Sequence, residues 1–466
     1  MATGATIAPV PIQTGMTALD VAGRLEQAKT KLLITDADML SMAEGASVLA
    51  GCISIITLDQ ADKSTPCIED LIEIGDPSIS HFEIRDPQEA ETHNAFINRT
   101  SGSTGKMKSV VTTHAHYIAT MEATRRTIPP NTDPDRDQWL SSLSLGFFIN
   151  AKLHMSLNVL LGIPVVMMDQ PFDQESISII KRHAITFLFL TPPIAAKLAK
   201  LDIPSSDLSS VKWLLSAGAP MHANLREAVS AKFSGTHLTL EWGTSETMLI
   251  AIQMDEQSRR PGSSGTLVNA VQAKVIDTES GDELAPNEEG ELLVRNSIAR
   301  YAGYKDNDVA NQAFDSEGWF HTGDYGFLDD SCNVYIVDRL KELLRVGDGY
   351  GSHVSAAELE TVVFDHPIVA SVVVVGVHND RTQVDEPTAF VVLKPDFQAK
   401  AGRELAAEIE KFAARKLVGL KRLTGGVYFV PKYPTVGFKI DRRALKEMAK
   451  IKPYAQPLSS MVVPPS

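Results

Sequence analysis

The chain has 466 residues, of which 44 % are hydrophobic and 22 % are charged, and its formal net charge is −14. This length exceeds one small core, and the composition excludes a disordered chain, a collagen and a disulfide-stapled mini-protein. The acidic balance argues against binding to nucleic acid or to an anionic membrane surface, and it leaves open a local basic pocket for an anionic ligand.

The first half of the chain alternates helical patterns with β-branched apolar runs. A helix with apolar positions Leu19, Val21, Leu25 and Ala28 precedes a predicted strand at 31–35. Further strands are predicted at 162–168, 185–190 and 211–216, and further helices at 174–183, 193–201 and 222–233. Such alternation predicts parallel sheets covered by helices, whose ligands bind beyond the carboxyl ends of the strands.

The pattern changes near residue 265. Short strands at 273–277, 290–294 and 334–337 alternate with polar turns, which predicts a twisted antiparallel module or a small barrel. From 341 onward, helices at 355–364 and 403–417 and strands at 371–377, 388–393 and 426–430 indicate a second, smaller unit. We therefore predict an α/β protein with a large domain over 1–340 and a small α+β domain over 341–466.

The strongest local signal is T-S-G-S-T-G-K-M-K at residues 100–108. Glycines let backbone N–H groups approach an anion, hydroxyls donate to phosphate oxygens, and lysines neutralise charge. The spacing is not that of a P-loop nucleotidase. Taken alone, the segment is also compatible with a flexible surface loop.

Five further motifs follow in a fixed order. They are S-A-G-A-P at 216–220, E-W-G-T-S-E-T at 241–247, G-W-F-H-T-G-D at 318–324, V-D-R-L-K-E-L-L at 337–344 and P-T-V-G-F-K-I-D-R-R at 434–443. Each has an ordinary structural alternative, such as a turn, a strand end, a helix cap or a solvated lysine. Together, over roughly residues 17–446, they resemble the adenylate-forming superfamily, which includes acyl-CoA synthetases, 4-coumarate–CoA ligases, luciferases and peptide-synthetase adenylation domains.

The resemblance implies that ATP and a small carboxylic acid react to give an acyl-adenylate and pyrophosphate, and that CoA then displaces AMP. Residues 100–108 would hold the β- and γ-phosphates, Trp242 would stack on adenine, and Asp324 and Arg339 would bind the ribose hydroxyls. The complete implied nucleotide-binding set is Thr100, Ser101, Gly102, Ser103, Thr104, Gly105, Lys108, Gly218, Ala219, Pro220, Trp242, Gly243, Asp324 and Arg339.

Three residues receive catalytic roles from the same resemblance. Lys439 would stabilise negative charge between the carboxylate and the α-phosphate, and Ser245 would donate to the α-phosphate. Glu246 would ligate Mg²⁺, which prefers carboxylate, water and phosphate oxygens. Lys341 occupies the position of the family's hinge, about which the small C-terminal domain moves as a lid, and the short strands near residue 265 would form the family's distorted barrel.

The phosphate-binding motif begins unusually early for this family, so the N-terminus is shortened relative to it. Missing strands would leave an unpaired sheet edge and exposed apolar helix faces. Phe147, Phe148, Trp242 and Met248 suggest an apolar or aromatic acid. An enzyme that loads a carrier-protein thiol is the alternative within catalysis, and a degenerate, non-catalytic adenylate-binding or scaffold protein is the alternative outside it.

Cellular placement follows from what the sequence lacks. Cys52, Cys67 and Cys332 have neither zinc-ligand nor disulfide spacing, which favours a reducing compartment. No secretory signal is visible, and no apolar run approaches the ~20 residues that span a bilayer. We therefore expect a cytoplasmic protein without membrane insertion.

Overall fold

The computed structural model describes residues 4–12, 16–62, 64–75, 82–101, 107–143, 146–168, 172–218, 221, 223–347, 353–417, 419–436 and 439–450. Contacts group the chain into two compact units. Unit 1 comprises Met1–Ala273, Leu293–Thr322 and Cys332–Val334. Unit 2 comprises Lys274–Leu292, Gly323–Ser331 and Tyr335–Ser466.

The helices are α1 Ala18–Ala28, α2 Leu40–Leu49, α3 Ile68–Ile74, α4 Pro87–Thr92, α5 His114–Arg125, α6 Phe148–Lys152, α7 Asn158–Leu161, α8 Gln174–Arg182, α9 Pro192–Lys200, α10 Ala223–Lys232, α11 Asp308–Asn311, α12 Ala356–Phe364, α13 Pro395–Gln398, α14 Arg403–Lys416 and α15 Arg442–Lys450. Short 3₁₀ turns lie at Ala37–Met39, Ser205–Leu208 and Leu340–Glu342, and a π-helical turn lies at Leu153–Leu157.

The strands are β1 Leu32–Thr35, β2 Ser54–Thr57, β3 Asn94–Ser101, β4 Met107–Thr113, β5 Trp139–Ser141, β6 Val165–Met167, β7 Phe187–Phe189, β8 Trp213–Ser216, β9 Leu238–Trp242, β10 Ala251–Ile252, β11 Thr266–Leu267, β12 Val271–Ile276, β13 Gly290–Asn296, β14 Phe320–Leu328, β15 Val334–Arg339, β16 Leu344–Arg345, β17 His353–Val354, β18 Val369–Asn379, β19 Val384–Leu393, β20 Gly426–Phe429, β21 Thr435–Val436 and β22 Lys439–Ile440.

Unit 1 contains a seven-stranded sheet in the order β11-β10-β9-β8-β7-β5-β6. Its strands β5 to β9 are parallel, and β10 runs antiparallel to both of its neighbours. Helices α8, α9 and α10 connect successive parallel strands, as the βαβ alternation predicts. The carboxyl ends of these strands therefore meet at one edge of the sheet, where α/β proteins bind ligands.

Alternation along the strands gives this sheet two different faces. Leu140, Leu188, Leu214 and Leu238 belong to an apolar cluster that also includes side chains of α8, α9 and α10. The intervening positions face the other way and carry large aromatic rings, because successive side chains point to opposite faces. Trp139 and Phe187 have ring centroids 4.9 Å apart, and Phe187 and Trp213 4.2 Å.

Two smaller sheets precede this one in the chain. Strands β3 and β4 pair antiparallel, and the residues between them, 102–106, lie outside the described part of the chain. Strands β1 and β2 pair in parallel. Around them, Ile34 of β1, Val48 of α2 and Ile72 of α3 are 52 %, 70 % and 72 % exposed.

Downstream of residue 265, where the sequence pattern changes, four strands form a sheet in the sequential order β12-β13-β14-β15. The predicted short strands at 273–277, 290–294 and 334–337 all belong to it. The observed strands are longer than predicted because backbone pairing continues past the apolar positions, for example to Asn296 and Arg339. Strand β14, which begins within G-W-F-H-T-G-D, is the member that the pattern did not single out.

The C-terminal part of unit 2 is a three-stranded sheet, β18-β19-β20, with one antiparallel and one parallel pair. Val374, Ala389 and Val391 pack with α12 and α14 on one face. Val373 and Phe390 pack with α15 on the other. The twofold alternation of strand residues therefore accounts for helices on both sides. In the described residues of the whole chain, no helix combines the length and apolar character needed to cross a bilayer.

Candidate active site

The described part of the 100–108 motif belongs to a β-hairpin. Thr100, the penultimate residue of β3, lies directly opposite Lys108 of β4, so a residue with a hydroxyl and one with an ammonium group pair at this end of the hairpin. Ser101 pairs with Met107 at the next register position. The predicted loop residues Gly102, Ser103, Thr104 and Gly105 lie outside the described residues, and their phosphate-binding role remains a prediction.

Tyr304 links the hairpin to Glu246. Its hydroxyl donates a 2.6 Å hydrogen bond to Oε1 of Glu246, and both residues are buried. Nζ of Lys108 lies 4.9 Å from the centroid of the Tyr304 ring, a cation–π distance. The backbone of Tyr304 also bridges to Val110 of β4. The fold of unit 1 thus brings Lys108 and Glu246 to the same tyrosine, although 138 residues of sequence separate them.

Glu246 lies in a tight turn that follows β9. The hydroxyl of Thr244 accepts hydrogen bonds from the backbone N–H groups of Glu246 and Thr247, each at 3.2 Å. A Cβ atom on Gly243 would overlap the carbonyl oxygen of Met248, so only glycine allows this close approach. Ser245 is half-buried in the same turn. The turn holds the backbone of the predicted metal ligand in one conformation.

The buried His116 contacts the backbone of the turn that contains Glu246. Nε2 of His116, on α5, lies 3.2 Å from the carbonyl oxygen of Thr247. Complete burial lowers the pKa of His116 to about 4, so the ring is neutral near pH 7 and donates its Nε2–H to that carbonyl. The Tyr301 ring packs edge-on against the His116 ring, with 4.9 Å between the ring centroids. Burial raises the pKa of the Tyr301 hydroxyl.

The motifs S-A-G-A-P and E-W-G-T-S-E-T lie at the carboxyl ends of β8 and β9, which are neighbouring strands of the seven-stranded sheet. Trp242 is the last residue of β9, is 8 % exposed, and pairs with Ala251 of β10. Gly218 lies two residues beyond β8 with φ 88°, a left-handed conformation that favours glycine. Ala219 and Pro220 are outside the described residues. The parallel register of β8 and β9 therefore places Gly218 and Trp242 at the ligand-binding edge of the sheet.

In unit 2, the predicted ribose-binding residues form an ion pair. Nε of Arg339, on β15, lies 2.8 Å from Oδ1 of Asp324, on β14. Asp324 is buried while Arg339 is exposed. The neighbouring Asp338 accepts a 2.8 Å hydrogen bond from the Ser355 hydroxyl at the start of α12. The side chain of Asp338 therefore connects β15, the strand that carries Arg339, to the start of α12.

The remaining predicted residues also belong to unit 2. Lys341 is exposed in the 3₁₀ turn Leu340–Glu342, which directly follows Arg339. Lys439 begins β22 and pairs with Val436 of β21. The position of the Lys439 side chain lies outside the description, so its catalytic role remains a prediction. The same holds for the hinge at Lys341 and for the domain boundary at 340.

The carboxylate of Glu246 suits a Mg²⁺ ion that is bound through few protein ligands. Glu246 offers one buried carboxylate, and Mg²⁺ in nucleotide sites is commonly held by one or two carboxylates together with phosphates and water. Within the described residues, no group of three or more His, Cys, Asp or Glu side chains is placed to form an all-protein metal site. Glu246 therefore fits a metal that arrives with a nucleotide.

Sequence reasoning missed two residues of this arrangement. Tyr304 lies outside all six motifs and contacts Glu246 across 58 positions, and His116 contacts Thr247 across 131. No short-range pattern marks either residue. Of the residues expected to line the acid pocket, Phe148 packs against Phe96, at 5.2 Å between ring centroids, and Met248 is buried beside the turn. Their role as pocket walls stays a prediction.

Comparison with solved structures agrees with the fold. The anthranilate CoA ligase AuaEII in complex with anthranoyl-AMP aligns with a TM-score of 0.80 at 23 % identity, over 94 % of this chain and 82 % of that one. ATP-bound MatB from Rhodopseudomonas palustris aligns with a TM-score of 0.79 at 22 % identity, over 95 % of this chain and 83 % of that one. These matches confirm the predicted α/β fold with a large N-terminal and a small C-terminal part.

Sequence comparison identifies longer relatives. Luciferin 4-monooxygenase of Nipponoluciola cruciata is 33 % identical over 368 residues, which cover 78 % of this chain and 64 % of the relative. Probable 4-coumarate–CoA ligase 3 of Dictyostelium discoideum is 30 % identical over 362 residues, which cover 77 % of this chain and 64 % of the relative. The chain thus spans slightly less than two thirds of the length of these two proteins.

Two family models match consecutive parts of the chain. The model described as AMP-binding enzyme matches residues 2–304, and the model described as AMP-binding enzyme C-terminal domain matches residues 358–437. The first covers more than half of the sequence and includes the turn with Glu246, and the second ends just before Lys439. The resemblance drawn from the six motifs is confirmed, and the chain belongs to the AMP-binding enzyme family.

Proposed function

We propose that this protein is an ATP-dependent, AMP-forming acid–thiol ligase that activates a small carboxylic acid and transfers the acyl group to CoA. The observation that carries the proposal is the buried contact of Glu246 with Tyr304, beneath Lys108. It combines a carboxylate for a metal–nucleotide complex with a cation for its phosphates. Relatives named as 4-coumarate–CoA ligases support a thiol ligase of this kind.

In the first step, a carboxylate oxygen of the acid attacks the α-phosphorus of ATP, and pyrophosphate leaves. Both reactants are anions, so neutralisation and positioning of charge carry most of the catalysis. Thr100 and Lys108 hold the β- and γ-phosphates at the hairpin, and Ser245 donates to the α-phosphate. Bound Mg²⁺ supplies Lewis-acid stabilisation of the phosphate charge. Tyr304 orients the Glu246 carboxylate that would hold it.

The residues of unit 2 complete the proposed assignment. Asp324, fixed by Arg339, accepts hydrogen bonds from the ribose hydroxyls. Lys439 stabilises the negative charge that develops between acid and α-phosphate. In the second step, the CoA thiolate attacks the acyl carbonyl, and the bond to AMP breaks. Lys341 supplies the torsions for the change between the two steps.

The test is pyrophosphate release from ATP on a panel of carboxylic acids, with and without CoA. We expect acid-dependent release, and acyl-CoA with AMP as products when CoA is present. Lys439→Ala should lower the rate of acid-dependent pyrophosphate–ATP exchange by about 10²-fold or more and leave ATP affinity nearly unchanged. Lys432→Ala, which replaces an exposed lysine seven positions away, is the matched control.

Three outcomes would count against the proposal. Absence of exchange with every acid would favour the non-catalytic alternative. Acid-dependent exchange with thioester formation only on a carrier protein would replace CoA as the acceptor. Normal exchange by Lys439→Ala would remove that lysine from the chemistry.

A further inference from the structure

An ion pair in unit 1 has no role in the chemistry described above. Nζ of Lys152, the last residue of α6, lies 2.5 Å from Oε1 of Glu241 on β9. The two side chains are only 2 % and 3 % exposed. Oε2 of Glu241 is buried, and it has no hydrogen-bond partner among the described residues.

The pair lies at the ligand-binding edge of the seven-stranded sheet. Glu241 directly precedes Trp242, at the carboxyl end of β9. Leu238 belongs to the apolar cluster of α8, α9 and α10, so Glu241, three positions on, faces the opposite, aromatic side. Ser141, at the carboxyl end of β5, lies on that side too and donates to Asn150 of α6. Polar groups therefore line this face where ligands of parallel sheets bind.

Stability alone does not explain the pair. Burying two charges carries a large desolvation penalty, and apolar residues of similar size are often as stable. An unsatisfied buried acceptor adds a further penalty. Such groups concentrate at functional sites, where a ligand supplies the missing partner.

We propose that Glu241, held by Lys152, determines the specificity of the acyl site by accepting a hydrogen bond from the substrate acid. The acid then carries a hydroxyl or amino group remote from its reacting carboxylate. A carboxylate paired with an ammonium offers acceptors only, so it selects a donor. This inference rests on the proposed ligase function, and it adds a polar group to the apolar or aromatic acid expected from Phe147, Phe148, Trp242 and Met248.

The experiment compares matched acids that differ by one donor. The pairs are 4-hydroxycinnamate with cinnamate, 4-hydroxybenzoate with benzoate, 4-aminobenzoate with benzoate, and 12-hydroxydodecanoate with dodecanoate. The readout is the ratio of kcat/KM for acid-dependent pyrophosphate release within each pair. We expect at least one donor-bearing acid to be preferred by about 10-fold or more, because a site built around a hydrogen bond rejects the analogue that lacks it.

The variant removes both charges together. Lys152→Met with Glu241→Leu avoids leaving one charge buried and unpaired, and it should fold. We expect the ratio for the preferred pair to fall towards one. The matched control is Lys212→Met with Asp137→Leu, which removes both members of the ion pair at the amino ends of β8 and β5. That pair lies at the opposite edge of the sheet, so the ratio should not change.

Thermal stabilisation by each acid, measured without turnover, separates this inference from the proposed function. Turnover without a donor preference in any pair overturns the inference alone and assigns Oε2 an ordered water. A preference that survives in the double variant also overturns it. Absence of turnover with donor-selective stabilisation that the double variant loses supports the acyl site and contradicts the ligase. Absence of turnover and of selective stabilisation contradicts both.

Discussion

The predicted site residues fall into two groups that are assembled differently. In unit 1, Lys108 and Glu246 meet at Tyr304, and each contact joins segments far apart in the chain. In unit 2, Asp324 and Arg339 pair between β14 and β15, only 15 residues apart. The first group depends on tertiary packing, whereas the second depends mainly on local strand pairing.

The two groups also differ in how their buried carboxylates are held, and therefore in what a substitution should change. The carboxylate of Glu246 is buried and, within the described part of the chain, accepts a hydrogen bond from the neutral hydroxyl of Tyr304, which helps to orient it. The carboxylate of Asp324 is buried against a cation whose own side chain is 46 % exposed. Changes at Lys108, Glu246 or Tyr304 should therefore affect the chemistry, and changes at Asp324 or Arg339 should affect nucleotide affinity.

The largest effect is expected for Glu246→Gln. The variant keeps the shape and removes the charge that would hold Mg²⁺, so the rate of acid-dependent pyrophosphate release should fall by about 10²–10³-fold. Steady-state kinetics over a range of Mg²⁺ concentrations would measure it. Glu256→Gln, at an exposed position of unit 1, is the control. An unchanged rate would exclude Glu246 from the metal site.

The second expectation concerns pH and is specific to unit 1. Burial lowers the pKa of both His116 and His154 to about 4, from an ordinary value of 6.5. Between these values the unfolded chain binds more protons than the folded one, so stability falls as the pH drops below 6.5. Each histidine should account for about 2 kcal/mol between pH 7 and pH 5.

Urea unfolding followed by tryptophan fluorescence measures this loss, because all four tryptophans belong to unit 1. His154→Phe, beside Trp139 and Phe187, should remove about half of the combined loss. His183→Gln, at an exposed position, should leave it intact. Equal stability of the parent protein at pH 7 and pH 5 would contradict the assignment.

A smaller effect is expected for Asp324→Asn in unit 2. Loss of a charged acceptor for the ribose should weaken ATP binding by about 10–100-fold, since hydrogen bonds to charged groups contribute about 1.5–3 kcal/mol. Calorimetric titration with ATP measures the affinity, and Asp380→Asn, whose side chain is 98 % exposed, is the control. Parental affinity would remove Asp324 from the nucleotide site.

The smallest effect is expected for Tyr304→Phe. The hydrogen bond from the Tyr304 hydroxyl to the Glu246 carboxylate is lost, but the charge of Glu246 and the ring beneath Lys108 remain. The rate should therefore fall by only about 5–10-fold. The apparent affinity for Mg²⁺ should fall with it, because Tyr304 acts by positioning the carboxylate. Tyr304→Leu would also remove the ring and should lower the rate further. Equal rates for the parent and Tyr304→Phe would show that the turn alone orients Glu246.

Much of the secondary structure was predictable because it depends on local periodicity. The apolar spacing of Leu19, Val21 and Leu25 predicts α1, and the helix spans Ala18–Ala28. The predicted ends of the strands agree less well with the structure. The strand predicted at 162–168 is observed only at Val165–Met167, because Gly162 with φ 73° ends α7 first. Apolar character extends beyond the residues that pair.

The sequence by itself determined the family and the order of its motifs, because glycine-, hydroxyl- and charge-rich segments record chemistry in residues next to each other. Only the tertiary structure revealed Tyr304 against Glu246 and Lys152 against Glu241, which meet across 58 and 89 positions. Such contacts depend on which helices and strands pack together. No periodicity encodes that choice, since burial of distant side chains is a property of the whole fold.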